Sequence, residues 1–254
     1  MARVLLPLPD HDFDVTEVAV PWKMLRDAGH DVVFATERGA AGGVPAADPL
    51  LLSGVVFGRL GAADQPAQWY AEMTQSREFQ RPVLWGSVEA RDFDGLLLAG
   101  GHAPGMRQYL ASAELQAKVA AFCALERPIG AICHGVLVLA RTKGADGKSV
   151  LHDKRTTCLP KYLERSAFLL TAWRRGRYYR TYPAYVEAEV RAALDSPKQF
   201  VRGPRVASKR GTATDDKAAF VVEDGNYVSA RWPGDAYLFA RAFIGKLQIG
   251  RAHV

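Results

Sequence analysis

Apolar residues fall in short blocks separated by stretches of helical period. Residues 3–8 are an apolar run that ends in the turn-rich Pro9-Asp10-His11-Asp12. Val15, Val18, Ala19, Trp22 and Leu25 then recur at helical spacing, and Gly29 stands where a helix end favours glycine. Asp31–Thr36 is β-branched and apolar, which predicts a buried strand. Such a β-α-β start predicts parallel strands joined by a right-handed crossover. Residues 93–99 and 128–132 predict two more buried strands, and residues 65–77, 113–125 and 136–141 predict helices. Residues 161–200 predict an aromatic-rich helical stretch, 196–216 a polar basic loop, and 233–247 a closing helix with proline in its first turn. Residues 219–223 and 227–230 flank Asp224-Gly225-Asn226, a hairpin signal. Residues 39–60 are rich in Gly, Ala and Pro without helical period, and predict a flap. The alternation predicts an α/β fold: a doubly wound, mostly parallel sheet sandwiched by helices.

Composition narrows this further. The 254 residues are 48% hydrophobic and 24% charged, which excludes a disordered chain and allows one large domain. That domain is expected over 1–248, with insertions at about 39–80 and 166–216. The last six residues, 249–254, resemble translated sequencing-adapter read-through and are expected to be a non-native tail. The net charge of +6 is concentrated between Lys154 and Arg180, where a solvated helical face is the simpler explanation. No helix-turn-helix or zinc-finger spacing accompanies it, so no nucleic-acid partner is expected. Three cysteines without a CxxC pair argue against a disulfide framework and a zinc site, and fit a reducing cytoplasm. The N-terminal run is too short for a signal peptide, and no run reaches the roughly 18–20 apolar residues that would span a membrane.

The sharpest chemical signal is Ile129-Gly130-Ala131-Ile132-Cys133-His134-Gly135. A buried strand stops, one nucleophilic residue follows, and a helix begins at once. Such a turn strains the backbone and presents the side chain at the sheet edge. A thiol at a helix N-terminus is expected to favour thiolate, and the His134 amide can serve as an oxyanion donor. Cys123, on an amphipathic helix, reads as structural.

The chain resembles the class I glutamine amidotransferase-like, or DJ-1/PfpI, superfamily, in its PfpI-type protease, glyoxalase III and deglycase branch. The elbow 131–135 carries the resemblance, with three other segments in the family order. Residues 14–21 are similar to the first helix of the branch, 98–105 to its glycine-rich oxyanion loop, and 224–236 to its closing hairpin and helix. The resemblance implies a flavodoxin-like core; it does not cover the insertion 166–216, which is expected to form a helical cap over the site and to set substrate size. It implies no cofactor, and a homodimer by default.

The roles follow in the same way. Cys133 is the expected nucleophile. Glu17 is the expected protonated carboxyl beside it, although without the resemblance it reads as a first-turn glutamate. His134 is the expected base of a Cys-His-acid triad, and Glu164 the candidate acid, in a segment that departs from the family at Cys158-Leu159-Pro160. Gly100 and Gly101 are expected to bring amides to an oxyanion. His102 either lines the pocket or is a satisfied loop histidine. No HxH or HExxH spacing suggests a metal. The expected function is a cysteine enzyme acting on a small carbonyl or amide, by glyoxalase III-like hydration of methylglyoxal or by amidase or peptidase hydrolysis. A true glutamine amidotransferase would need a C-terminal His-x-Glu, which is lacking between His152 and His253. The alternative from another class is a holdase chaperone or redox-sensing protein.

Overall fold

The computed structural model describes residues 1–57, 61–205 and 209–252. Parts of the expected flap, basic loop and tail, residues 58–60, 206–208 and 253–254, lie outside the described residues. Among the described residues the strands are β1 (Arg3–Pro7), β2 (His11–Phe13), β3 (Asp31–Thr36), β4 (Ala46–Ala47), β5 (Val83–Leu84), β6 (Gly95–Leu98), β7 (Ile129–Ile132), β8 (Val221–Asp224) and β9 (Tyr227–Ala230). The α-helices are α1 (Val15–Asp27), α2 (Pro49–Ser53), α3 (Asp64–Thr74), α4 (Arg77–Gln80), α5 (Met106–Ala111), α6 (Ala113–Cys123), α7 (Val136–Arg141), α8 (Lys161–Arg175), α9 (Val186–Ala193) and α10 (Ala236–Ala252).

Seven strands form one sheet in the order β5-β3-β1-β6-β7-β9-β8. Its pairs are parallel except for the β8–β9 hairpin. This is the doubly wound α/β architecture that the alternation predicted. The order reverses at β1: the chain steps outward through β3 and β5, then returns to add β6 and β7 on the other side. At such a switch point the C-terminal strand ends part and leave a crevice.

Two helical layers cover the sheet. On one face Gly95 and Gly130 make room for α10, since a Cβ would fall 2.7 Å from Leu247 at the first and 2.9 Å from Phe239 at the second. On the other face Leu5 and Leu96 meet Leu115, Val119 and Phe122 of α6. Helix α1 buries nine of its 13 residues, more than one apolar stripe, and packs against both α3 and α10.

Local chemistry moves several expected boundaries. The helix expected over 65–77 ends at Thr74, because Ser76 caps the separate α4 by accepting the Phe79 N–H. The stretch 161–200 is two helices: Gly176 takes φ +57° and ends α8, and residues 176–185 turn back before α9. Within the flap, Asp48 caps α2 and also accepts hydrogen bonds from the Tyr178 and Tyr179 hydroxyls, which ties the flap to this turn. Helix α10 runs on to Ala252, into the segment set aside as a tail. No helix among the described residues is long and apolar enough to cross a membrane.

Candidate active site

Strand β7 stops at Ile132, Cys133 takes φ +58°, and the turn Cys133–Gly135 leads directly into α7. A non-glycine residue held there costs roughly 1–3 kcal/mol, a strain that neighbouring packing must impose. Gly135 allows that packing, since a Cβ on it would lie 2.3 Å from the Leu98 carbonyl oxygen of β6. Cys133 Sγ lies 3.6 Å from His134 Nδ1, and both residues are buried.

Glu17 comes to this elbow from the first turn of α1. Asp14 caps the helix, with Oδ1 accepting the Thr16 N–H at 2.8 Å and the Glu17 N–H at 3.0 Å. A glutamate at this third position often reaches back to cap its own helix. Here it turns inward, and Oε2 accepts the Gly100 N–H at 2.9 Å. Oε1 has no hydrogen-bond partner, and the Cys133 thiol is among the groups that perturb the carboxyl. Gly100 is the fulcrum: a Cβ would lie 2.7 Å from both Glu17 Oε2 and His134 N, and 3.0 Å from Cys133 Cβ. The Gly100 amide is therefore held by Glu17 and is not free as an oxyanion donor. The Gly101 amide makes no hydrogen bond among the described residues and remains available. The His134 amide faces the sulfur, where it favours thiolate.

The electrostatics correct one expectation. Burial above all pushes the Cys133 thiol up, with the Glu17 and Asp14 carboxylates adding to it when ionised, so the thiol is favoured over the thiolate. Burial, then the Asp14 charge, also lifts Glu17 well above the usual carboxylate range, which favours its protonated form. Burial lowers His134 well below an ordinary imidazole, with help from His102, Arg141 and Arg180. Burial thus favours the uncharged form of all three groups.

A cavity of about 250 Å³ lies close by, lined by His102, whose ring packs on His134, although Cys133, His134 and Glu17 are not themselves among its lining residues. Asp14, His102 and Tyr179 line it on one side, and Leu163, Ala167 and Leu170 of α8 contribute to another wall. The His102 ring sits edge-on to His134, with centroids 4.6 Å apart and planes at 79°, and burial lowers its pKa to about 4. Although the residue is partly exposed as a whole, its Nε2 is buried and unpartnered. A larger cavity of about 440 Å³, near Cys123, Lys154 and Tyr227, opens at the other end of β7, where Ile129 begins the strand. It contains none of the elbow residues.

Glu164 does not join the triplet. It lies in the first turn of α8, with Oε1 accepting from Arg180 at 2.7 Å and Oε2 from the Val186 N–H at 2.9 Å. His134 has no hydrogen bond or ion pair with a carboxylate among the described residues. The expected triad acid is instead a brace that holds the 176–185 turn to α8, because the guanidinium within reach satisfies it first. Sequence reasoning also missed Asp14, Tyr179, Arg210 and Trp232 as cavity residues. Asp14 was readable as an N-cap. The others reach the cavity only through tertiary folding.

Comparison with known proteins identifies the family. A family model described as ThiJ/PfpI family-like matches residues 8–204. An uncharacterized Schizosaccharomyces pombe protein is 28% identical over 248 residues, covering 94% of this chain and 82% of that protein. A deglycase of Pyrococcus abyssi is 25% identical over 247 residues, covering 97% of this chain and 99% of its own. The structure of glyoxalase III from Candida albicans superimposes with a TM-score of 0.65 at 16% identity, covering 96% of this chain and 97% of that one, a likeness of fold.

Proposed function

The chain belongs to the ThiJ/PfpI-like family, and from that premise we propose that it is a cysteine-dependent enzyme acting on a small carbonyl compound. The reaction that fits best is the glyoxalase III-like hydration of methylglyoxal to lactate. The observation that carries this reading is the fully buried Glu17 carboxyl beside Cys133, which burial pushes toward its protonated form. Amide or peptide hydrolysis needs a nucleophile and one group that takes the nucleophile's proton and gives it to the leaving amine. It has no use for a second carboxyl that can move protons between adjacent carbons, whereas an aldehyde-to-acid isomerisation does. The relation to a deglycase along nearly the whole chain agrees with carbonyl chemistry.

The steps balance without an external oxidant. Sγ bonds to the aldehyde carbon, and the thiol proton passes through His134 to the new alkoxide. Glu17 protonates the neighbouring ketone oxygen and takes the proton from the sulfur-bearing carbon, giving an enediol. It returns that proton to the adjacent carbon and recovers one from the enediol hydroxyl, leaving a thioester. Water then attacks the thioester carbonyl, lactate leaves, and sulfur regains its proton. The Gly101 amide is the candidate donor to oxygen during the two additions. The test is a product panel: lactate from methylglyoxal, glycolate from glyoxal and ammonia from simple amides. Acid from the dicarbonyls supports the proposal, and ammonia alone, with no acid from either dicarbonyl, overturns it.

One observation favours a second reading, a holdase. Leu169, Leu170 and Trp173 are exposed on α8 beside exposed Phe57, whose ring lies 6.1 Å from that of Trp173. An apolar strip of this kind marks an interaction surface. Suppression of client aggregation by the Cys133→Ala variant, with no turnover in the wild type, would favour it.

A further inference from the structure

Unmatched polar groups meet in the cavity lined by Asp14 and His102. Trp232 Nε1 and His102 Nε2 are both buried without a hydrogen-bond partner. The Arg210 guanidinium lies over the Trp232 ring, 5.6 Å from its centroid, and has no hydrogen bond or ion pair among the described residues. Asp14 is the acidic group on this wall. Its Oδ1 holds the two α1 amides, and Arg210 acts on it only through its charge. The neighbouring hydroxyls are already committed: Thr171 Oγ1 donates to the Ala167 carbonyl at 2.7 Å, Ser166 Oγ to the Tyr162 carbonyl at 2.7 Å, and the Tyr179 hydroxyl to Asp48 at 2.8 Å.

A buried indole N–H usually finds an acceptor, and leaving it without one is costly. The indole is nevertheless held in place, because Gly234 yields it the space: a Cβ there would lie 2.3 Å from Trp232 Cζ2. The pairing is of two donor groups without acceptors, one of them a permanent cation. A carboxylate complements it, being acceptor-only with two oxygens, and can take the guanidinium and the indole N–H together.

The geometry points to Arg210 and Trp232 as a subsite for a carboxylate on the substrate, whose carbonyl is held at Cys133. This rests on the proposed role of Cys133. Leu51, Leu159, Leu163 and Leu170 line the same cavity and suit a short hydrocarbon spacer. The substrate class is then a short oxo acid: an aldehyde or 2-oxoaldehyde with a terminal carboxylate. An alkyl end would leave both donors unpaired, so methylglyoxal would be the truncated member of the class.

Binding separates this subsite from the catalytic reading. The probes are 4-oxopentanoate and its neutral isostere 4-oxopentanamide, titrated calorimetrically into the full chain carrying Cys133→Ala, where no covalent chemistry occurs. The carboxylate is expected to bind about tenfold tighter than the amide. Adding Arg210→Gln, checked for folding by circular dichroism, should bring the two affinities level. Trp232→Phe, which keeps a ring but removes the N–H, should cut the preference part of the way. Equal affinities in the parent, a preference that survives Arg210→Gln, or no binding of the carboxylate overturns the subsite. A wild type that forms no acid from either dicarbonyl, with the preference intact, would instead count against the catalytic reading alone.

Discussion

Glu17 Oε2 accepts the Gly100 amide at 2.9 Å, joining the first helix to the loop after β6 across 83 residues of chain. That single bond fixes the carboxyl beside Cys133 and leaves Oε1 unpartnered, with its proton available. Glu17→Gln keeps an acceptor for the Gly100 amide and removes the transferable proton. Turnover of methylglyoxal is expected to fall about 10²–10⁴-fold, while the thermal midpoint by calorimetry does not fall. Unchanged turnover would show that the carboxyl moves no proton.

Gly100→Ala tests the close approach from the other side. The new Cβ meets Glu17 Oε2 and the His134 amide, both at 2.7 Å, and neither can retreat without disturbing the elbow. Overpacking of this kind costs about 1–3 kcal/mol. A loss of that size in urea denaturation is expected together with loss of turnover. A variant as active as the wild type would mean that the loop yields freely.

Asp14 sets a pH dependence of stability. Burial raises it from 3.8 to about 6, so between these values the folded chain keeps a proton that the unfolded chain has released. The fold therefore gains this contribution fully below pH 3.8 and loses it as pH rises through about 6. The shift corresponds to ~3 kcal/mol. Asparagine caps a helix as well as aspartate. Asp14→Asn should therefore be more stable than the wild type at pH 7, by up to about this amount, with the advantage gone by about pH 4. Denaturant midpoints across that range check the sign, and an advantage that grows on acidification would contradict it.

Buried Glu164 pairs with the partly buried Arg180 at the base of the 176–185 turn. Breaking such a pair typically costs about 3–5 kcal/mol when it leaves a buried charge unmatched. Glu164→Gln is expected to lower the thermal midpoint and raise KM, by loosening the cavity wall around Tyr179, while the kcat pH profile keeps its shape. A changed pH profile with an unchanged midpoint would instead restore Glu164 as the partner of His134.

The contrast between Glu164 and Glu17 shows what the chain made legible. Parallel strands, the Asp224-Gly225-Asn226 hairpin and the Cys133 elbow are local patterns, and the structure reproduces them near the expected boundaries. Glu17 was identifiable only because a helix beginning at Asp14 must point its first turn somewhere, and family resemblance said where. Glu164 pairs with Arg180, 16 residues away, and makes no hydrogen bond to His134, a choice that no local pattern encodes. The Cys133 environment was misread for a related reason. The short helix behind it suggests a thiolate, but its burial beside Glu17 and Asp14 has the larger effect.

The most direct test of the account is the rate of lactate formation from methylglyoxal by the wild type and by Cys133→Ala, measured side by side at neutral pH. The account predicts enzymatic lactate from the wild type and only the uncatalysed background from the variant. Equal rates for the two proteins would contradict it.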